Sequence, residues 1–473
     1  MKNHLPLIFT SLSAATISMS CGEGGVDDGQ RPNFLLFIAD DCSYYDIGCY
    51  GSSDSITPNI DKFAEEGVQF SKAYQAVAMS SPTRHSLYTS LYPVRSGAYP
   101  NHTFAKEGNL SIAHHLQAEG YKVALIGKSH VEPVEVFPFD LWIDNNKAGE
   151  LDFEAVDKFI GECNENKTPY MLIVGSKQPH SPWNMGDQSL FDKESIELPP
   201  MYVDTPETRE QFRNYLAEIN YMDGEFGRVL GSLEENGEPD NTMVIYLSEQ
   251  GNSFPFSKWT CYDVGVHSAM LIRYPKHFEA GLKSDALVEY VDVVPTILDV
   301  ANIEPLSELD GESFLSVLRG KSSTHKEYTF SLQTTRGINS GSENFGIRSV
   351  ANSRYRYIVN LNHTKKFACL STKMPRDITF TSWVEAAKSD EHAARMVHNY
   401  QYREQYELYD VVADPYCMNN LYTDPKHSEL VEELSSALAE WMEYCGDEGV
   451  ETEARAKEHL YSNYKKMKRN ETK

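Results

Sequence analysis

Four stretches of this chain share one pattern, a short and largely continuous apolar run that stops abruptly at polar or charged residues. They are Pro32 to Ala39 ahead of Asp40-Asp41, Val123 to Gly127 ahead of Lys128-Ser129-His130, Tyr170 to Gly175 ahead of Gln178-Pro179-His180-Ser181-Pro182, and Met243 to Leu247 ahead of Ser248-Glu249-Gln250-Gly251-Asn252. Such runs predict strands buried on both faces, as in a parallel sheet covered by helices on either side. Ligands gather at the carboxyl ends of those strands, so the residues that terminate the runs are the first candidates for chemistry. Phe212 to Leu233 carries apolar residues at helical spacing, and Val291 to Leu298 opens another helix after a strand. This alternation predicts a layered α/β core extending to about residue 335. Beyond it, Arg348 to Leu361 alternates like a strand, Asp414-Pro415 and Asp424-Pro425 mark turns, and Leu430 to Met442 is an amphipathic helix. A smaller C-terminal α+β subdomain is therefore expected over 336–473, ending in a lysine-rich polar helix from Arg455.

The amino terminus reads differently. Lys2, then Leu5 to Phe9, then small residues up to Ser18-Met19-Ser20-Cys21 predict an export signal over 1–20 with a lipoprotein-type cleavage site. The apolar stretch is too short for a bilayer span, which needs about 20 apolar residues. Cys21 becomes the lipidated terminus, and the Gly- and Asp-rich residues 21–30 become a flexible tether. The protein is expected at the outer membrane, the cell surface or in the periplasm, touching membrane only through its lipid.

At 473 residues and 41% hydrophobic content the chain can bury a large core and divides naturally into two domains. The net charge of -26 excludes nucleic acid as a partner and repels polyanions at long range. An anion-binding pocket must then be locally basic, and Arg84, Lys128 and Lys258 with His130 and His180 supply that basicity. Of 8 cysteines, those after Cys21 are scattered without metal-ligand spacing. They indicate no dense disulfide framework, though one or two bridges are compatible with them. Cys42 and Cys49 fall near the candidate site without occupying a nucleophile position.

Asp40 and Asp41 offer hard oxygen donors suited to calcium or magnesium. Downstream, Ser80-Ser81-Pro82-Thr83-Arg84, followed by Leu87 and Thr89, resembles the motif around which type I sulfatases build a catalytic formylglycine. Asp46 to Gly51, Thr57 to Asp61, the Gly-Lys-x-His pattern at Gly127 to His130, the His-x-Pro pattern at His180, and Lys258 extend the resemblance over nearly the whole mature chain. It implies an alkaline-phosphatase-like fold, a mixed sheet flanked by helices, with the catalytic domain over 31–335. It further implies that a serine-type maturation enzyme oxidises Ser80 to formylglycine (3-oxoalanine). The hydrated aldehyde attacks sulfur, and its second hydroxyl lets the bound sulfate be expelled. In this reading Asp40, Asp41, Glu249 and Gln250, with the modified Ser80, hold one Ca2+ ion, and Arg84 orients the hydrate. Lys128 and Lys258 offset charge on the sulfate, His180 protonates the leaving atom, and His130 takes the proton that releases sulfate.

The chain departs from the family pattern at Glu249-Gln250, where Asp-Asn or Asp-His is usual. Oxygen donors are retained, but each side chain is one methylene longer than in Asp-Asn, which moves its oxygens by about an ångström or more. Val131-Glu132-Pro133, Val136 to Asp140, Ile347 to Val350 and Tyr402 to Asp410 resemble the sulfamidase branch in particular. The implied substrate is a sulfated oligosaccharide, of heparan type or from an algal polysaccharide such as ulvan or carrageenan. The alternatives are a phosphatase or phosphodiesterase of the same superfamily, which would need ligands for a second metal, and a non-catalytic sulfated-sugar-binding lipoprotein.

Overall fold

The computed structural model describes residues 30–146, 149–373 and 377–471. The expected export signal and the lipidation site at Cys21 lie outside the described residues. Residues 31–473 form one compact unit. No described helix is long and apolar enough to cross a membrane.

The four predicted runs are strands β1 Asn33–Asp40, β3 Lys122–Gly127, β5 Tyr170–Gly175 and β6 Thr242–Glu249, joined by β2 Val68–Tyr74, β4 Leu141–Ile143, β7 His267–Arg273, β8 Leu282–Ser284 and β9 Val288–Glu289. They form a mixed sheet in the order β4-β3-β5-β1-β6-β7-β2-β8, with β9 also beside β2. From β4 to β6 every pairing is parallel, whereas β7 runs antiparallel to both β6 and β2. Along β1, Leu35, Phe37 and Ala39 enter one apolar cluster while Phe34, Leu36 and Ile38 enter the other. Both faces of the strand are thus dry, which is why its sequence shows no alternation.

A second, antiparallel sheet follows: β10 Thr329–Thr334, β11 Gly346–Ala351, β12 Tyr355–Asn360 and β13 Tyr406–Asp410, in that order. It starts at Thr329, so its first strand lies ahead of residue 336. Leu332, Ile347 and Leu408 from this sheet and Leu434 from the helix Ser428–Cys445 join the cluster that holds Leu35 and Phe37. The seven cysteines among the described residues are free thiols.

The long helix Pro206–Asn236 is capped by Thr205, whose side chain accepts from the Thr208 N–H. Two of its buried carboxyls fasten the loop that leaves β5. Glu225 accepts from Ser176 Oγ at 2.6 Å, and Glu218 from the Met185 N–H at 2.7 Å. Burial pushes both carboxyls up, to about 7. A carboxyl that keeps its proton to about 7 when folded but loses it near 4.5 when unfolded binds more protons in the folded state. Stability should therefore be highest at the acid end of that window and fall as pH rises through it. Glu225→Gln should remove up to about 1.4 kcal/mol per pH unit of that slope in denaturant titrations, and an unchanged slope would show that Glu225 does not titrate there.

Candidate active site

Register brings the ends of four strands to one edge of the sheet. Asp40 on β1 lies opposite Glu249 on β6, Ile38 opposite Gly175 on β5, and Gly175 opposite Gly127 on β3. Just beyond three of these ends the backbone enters the left-handed region, at Asp41 (φ 60°), His130 (φ 55°) and Gln250 (φ 41°). Non-glycine residues seldom adopt it, and they do so mostly where the surrounding fold imposes it at functional positions. Gly175 matters for a steric reason. A Cβ there would lie 2.3 Å from the Lys128 carbonyl oxygen and 3.0 Å from Arg84 Nη1. Glycine leaves room for Arg84 Nη1 to donate to that carbonyl at 2.6 Å.

Ser80 opens the wholly buried helix Ser80–Thr89 and is itself 3% exposed. Its Oγ donates to Asp40 Oδ1 at 2.8 Å and accepts from Lys128 Nζ at 3.1 Å and Gln250 Nε2 at 2.9 Å. Lys128 also pairs with Asp40 Oδ2. Asp41 is held by Gln250 Nε2 at 2.7 Å, Lys258 Nζ at 2.6 Å and Ser253 Oγ at 2.9 Å. Burial alone would raise the Asp40 carboxyl, but Lys128, His180, Lys258 and Arg84 together hold it well below the usual carboxylate range. Three cations, Arg84, Lys128 and Lys258, are thus paired with three carboxylates, Glu249, Asp40 and Asp41, around the first turn of the helix that Ser80 opens.

Asp40, Asp41 and His180 present ligand atoms within 4.8 Å of one another, the only such metal-capable group among the described residues. His180 Nε2 lies 3.6 Å from Asp41 Oδ2, while its Nδ1 donates to the Ser181 carbonyl at 2.6 Å. That bond fixes the tautomer and turns Nε2 toward the carboxylates. The donor set fits a hard divalent cation, with two carboxylates and the Gln250 amide, whose oxygen faces the same spot when the amide is turned over.

Glu249, expected among the cation ligands, is turned elsewhere. Its carboxylate grips Arg84 through Nε at 3.0 Å and Nη2 at 2.8 Å, and both side chains are buried. The extra methylene carries the carboxylate past the point that an aspartate on β6 would reach. Burial pushes Glu249 up, to about 7, against the pull of Arg84; the bidentate pair in turn raises Arg84. Removing one partner of such a pair strands a buried charge, so Glu249→Gln should cost about 3–5 kcal/mol in unfolding free energy. A loss below about 1 kcal/mol in denaturant melts would mean the pair is not buried in solution.

His130 is where the motif places it, on the rim, but its Nε2 shares a hydrogen bond with His102 Nδ1 at 3.0 Å. His102 also sits at positive φ (53°) and was not legible as a site residue. Its loop is pinned by the chain's far end: the Tyr461 N–H donates to the His102 carbonyl, and Thr103 Oγ1 to the His459 carbonyl. Burial holds His130 well below the ordinary histidine value, reinforced by Lys128, His102 and Arg84. It is therefore held in its neutral form.

With this geometry in view, the comparisons with known proteins are decisive. The sulfatase family model matches residues 32–303, more than half of the chain. The chain belongs to the sulfatase family. A second model, the N-sulphoglucosamine sulphohydrolase C-terminal region, matches residues 251–379. An ulvan-active sulfatase of Formosa agariphila is 31% identical over 429 residues, covering 88% of this chain and 81% of the relative. Human N-sulphoglucosamine sulphohydrolase is 27% identical over 470 residues, covering 87% and 90%. Among solved structures, BT4656 in complex with its substrate D-glucosamine-2-N,6-O-disulfate superposes with a TM-score of 0.68 at 20% identity, over 89% of this chain and all of that one. This sulfatase thus has the fold of its family, a mixed sheet flanked by helices with a separate small antiparallel sheet. It is a sulfuric ester hydrolase, of a family that uses formylglycine and a divalent metal.

Proposed function

We propose that this sulfatase removes sulfate from sulfated oligosaccharides, with Ser80 as the oxidised residue and Ca2+ as the cation. The observation that carries the reading is the position of Ser80 Oγ, within 3.1 Å of groups on three different strand ends. As formylglycine hydrate, this position would supply a nucleophile for sulfur and a second hydroxyl for release. Asp40, Asp41 and Gln250 would hold the cation, which would polarise the sulfate. Glu249 acts beside them by tying Arg84, a residue of the Ser80 helix, to the end of β6. Lys128 and Lys258 neutralise the two aspartates in this structure. A divalent cation on those carboxylates would supply the counter-charge instead, and the two ammonium groups would then be free to face sulfate oxygens, each worth about 3 kcal/mol of transition-state stabilisation. As the imidazolium, protonated on both ring nitrogens, His180 would donate its Nε2 proton to the leaving oxygen or nitrogen, and neutral His130 would accept the one that frees sulfate. A two-metal phosphatase would need a second ligand cluster, which the described residues do not offer.

The signal-like start of the chain supports an exported, lipid-anchored enzyme in the outer membrane or periplasm, matured by a serine-type formylglycine-generating enzyme. The net charge of -26 favours short fragments over long polyanions, since repulsion grows with substrate charge. Heparan-type and ulvan oligosaccharides already cut by a lyase or glycosidase are the substrates to try. Asp41→Ala should lower bound calcium and sulfate release together, read by metal analysis and ion chromatography. Full activity without bound metal would remove the cation from the scheme.

A further inference from the structure

His102 is exposed, yet its Nδ1 meets His130 Nε2 at 3.0 Å, with ring centroids 5.0 Å apart. We infer that His102 is a positioning residue for sulfate release: it accepts the His130 Nε2 proton and so leaves His130 Nδ1 bare to take the proton that frees sulfate from residue 80. This rests on the sulfatase reading above and adds a residue to its second step.

Three observations carry the inference. The first is where the protons sit. Burial holds His130 neutral, and partial burial, reinforced by Lys128 and Lys258, lowers His102 as well. Two neutral imidazoles joined by one hydrogen bond share one proton between the facing nitrogens. If His102 donated it, the His130 proton would sit on Nδ1, and His130 would have no lone pair left to accept another. The arrangement in which His130 donates leaves its Nδ1 with a lone pair, and puts the remaining His102 proton on Nε2 of an exposed residue.

The second is the place of that nitrogen. His130 Nδ1 is buried and has no hydrogen-bond partner among the described residues. Closed off from solvent, it exchanges protons with groups of the protein, and the free hydroxyl of a formylglycine hydrate is such a group. Lys128, Arg84 and Asp40 all act electrostatically on His130. The same three lie about residue 80: Lys128 and Asp40 bond to Ser80 Oγ, and Arg84 follows one turn later in its helix. His130 would take the proton of the free hydroxyl. The O–H electron pair becomes the second bond of the re-formed aldehyde, and the carbon–oxygen bond to sulfate breaks with its pair on sulfate, so the step balances with no further reactant.

The third is rigidity. His102 and His130 both hold positive φ, 53° and 55°. The His102 loop is fastened by the Asn101 N–H to the Arg336 carbonyl at 3.2 Å, by the Tyr461 N–H to the His102 carbonyl at 2.9 Å, and by the Thr103 N–H to Ser81 Oγ at 3.4 Å. The last bond ties it to the residue beside Ser80. An imidazole's tautomer is set by the hydrogen bond its other nitrogen makes, and a ring so held sets it for its neighbour.

The test uses His102→Gly, which deletes the acceptor, and His102→Asn, which keeps one in Oδ1; both replacements tolerate positive φ. Nitrogen-15 NMR of histidine-labelled protein near neutral pH, with the His130 signals assigned by their loss in His130→Gln, should show His130 bare at Nδ1 and protonated at Nε2. In His102→Gly that preference should be lost. With the modified enzymes on 4-nitrophenyl sulfate, His102→Gly should lower kcat about 10- to 100-fold and KM by about as much, because only the second step is slowed. A burst of about one 4-nitrophenol per active site should precede the slow turnover. His102→Asn should restore most of the lost kcat. A His130 protonated at Nδ1, the same tautomer in His102→Gly, a parent-like kcat in that variant, an equal fall in kcat and kcat/KM, or His102→Asn as slow as His102→Gly would each overturn the inference and leave the sulfatase reading standing. No release of sulfate by the modified parent enzyme would remove both.

Discussion

Replacing Ser80 by alanine should abolish sulfate release, with turnover falling by about a millionfold or to background, as when other covalent catalysts lose their nucleophile. The structure says why so small a change should act on chemistry alone. Ser80 Oγ is the point on which Asp40, Lys128 and Gln250 converge, and no other hydroxyl among the described residues is held by that set. The fold should survive. Asp40 keeps its pair with Lys128, and Gln250 keeps Asp41, so each partner loses only one of its contacts. The stability cost should be about 1 kcal/mol, the typical net worth of a buried hydrogen bond. Circular dichroism and a denaturant melt separate the two effects. A variant that folds normally and still releases sulfate at the parent rate would end the Ser80 mechanism.

Losing the proton donor should have the second largest effect, and it should depend on the substrate. His180→Ala should slow hydrolysis of sugar sulfates by about 100-fold to 10,000-fold, the usual value of a positioned general acid. Activated aryl sulfates need little proton assistance and should lose far less. The expectation follows from geometry: His180 is locked by its Nδ1 bond to Ser181, its Nε2 lies 3.6 Å from Asp41 Oδ2, and the residue lines a neighbouring cavity. If sugar and aryl substrates slow equally, His180 binds sulfate or supports the pocket and does not donate a proton.

Much of this site was legible because its residues sit where buried strands end. The apolar runs of β1, β3, β5 and β6 are strong signals, and Asp40, Lys128, His180 and Glu249 follow them directly. The Ser80 to Arg84 motif is local in sequence, so it too could be read before any contact was known. What could not be read depends on long-range contacts. The partner of Glu249 is a case in point. Sequence gives the extra methylene, but only the fold shows that Arg84, 165 residues away, takes up the carboxylate. His102 lies in a loop with no periodicity of its own, and it reaches His130 because residues near 460 pin that loop. The cavity beside His180 is lined by Trp183, Asn214, Phe254 and Asp377, which share no motif and no single element. Arg348 shows the reverse. It stands in a segment that resembles the sulfamidase branch, yet it is wholly buried in ion pairs with Asp447 and Glu453 and serves the small sheet.

The central claim is that Ser80 is carried as an aldehyde in the working enzyme. It is tested most directly by the mass of the peptide containing Ser80, taken from the protein as its native host makes it. Oxidation of the serine removes two hydrogens, so the peptide should be lighter than its sequence mass by about 2 units, with a hydrated form heavier by one water. Enzyme activity across preparations should rise in proportion to that lighter fraction. Fully active protein in which the peptide retains the unmodified serine mass would contradict the account.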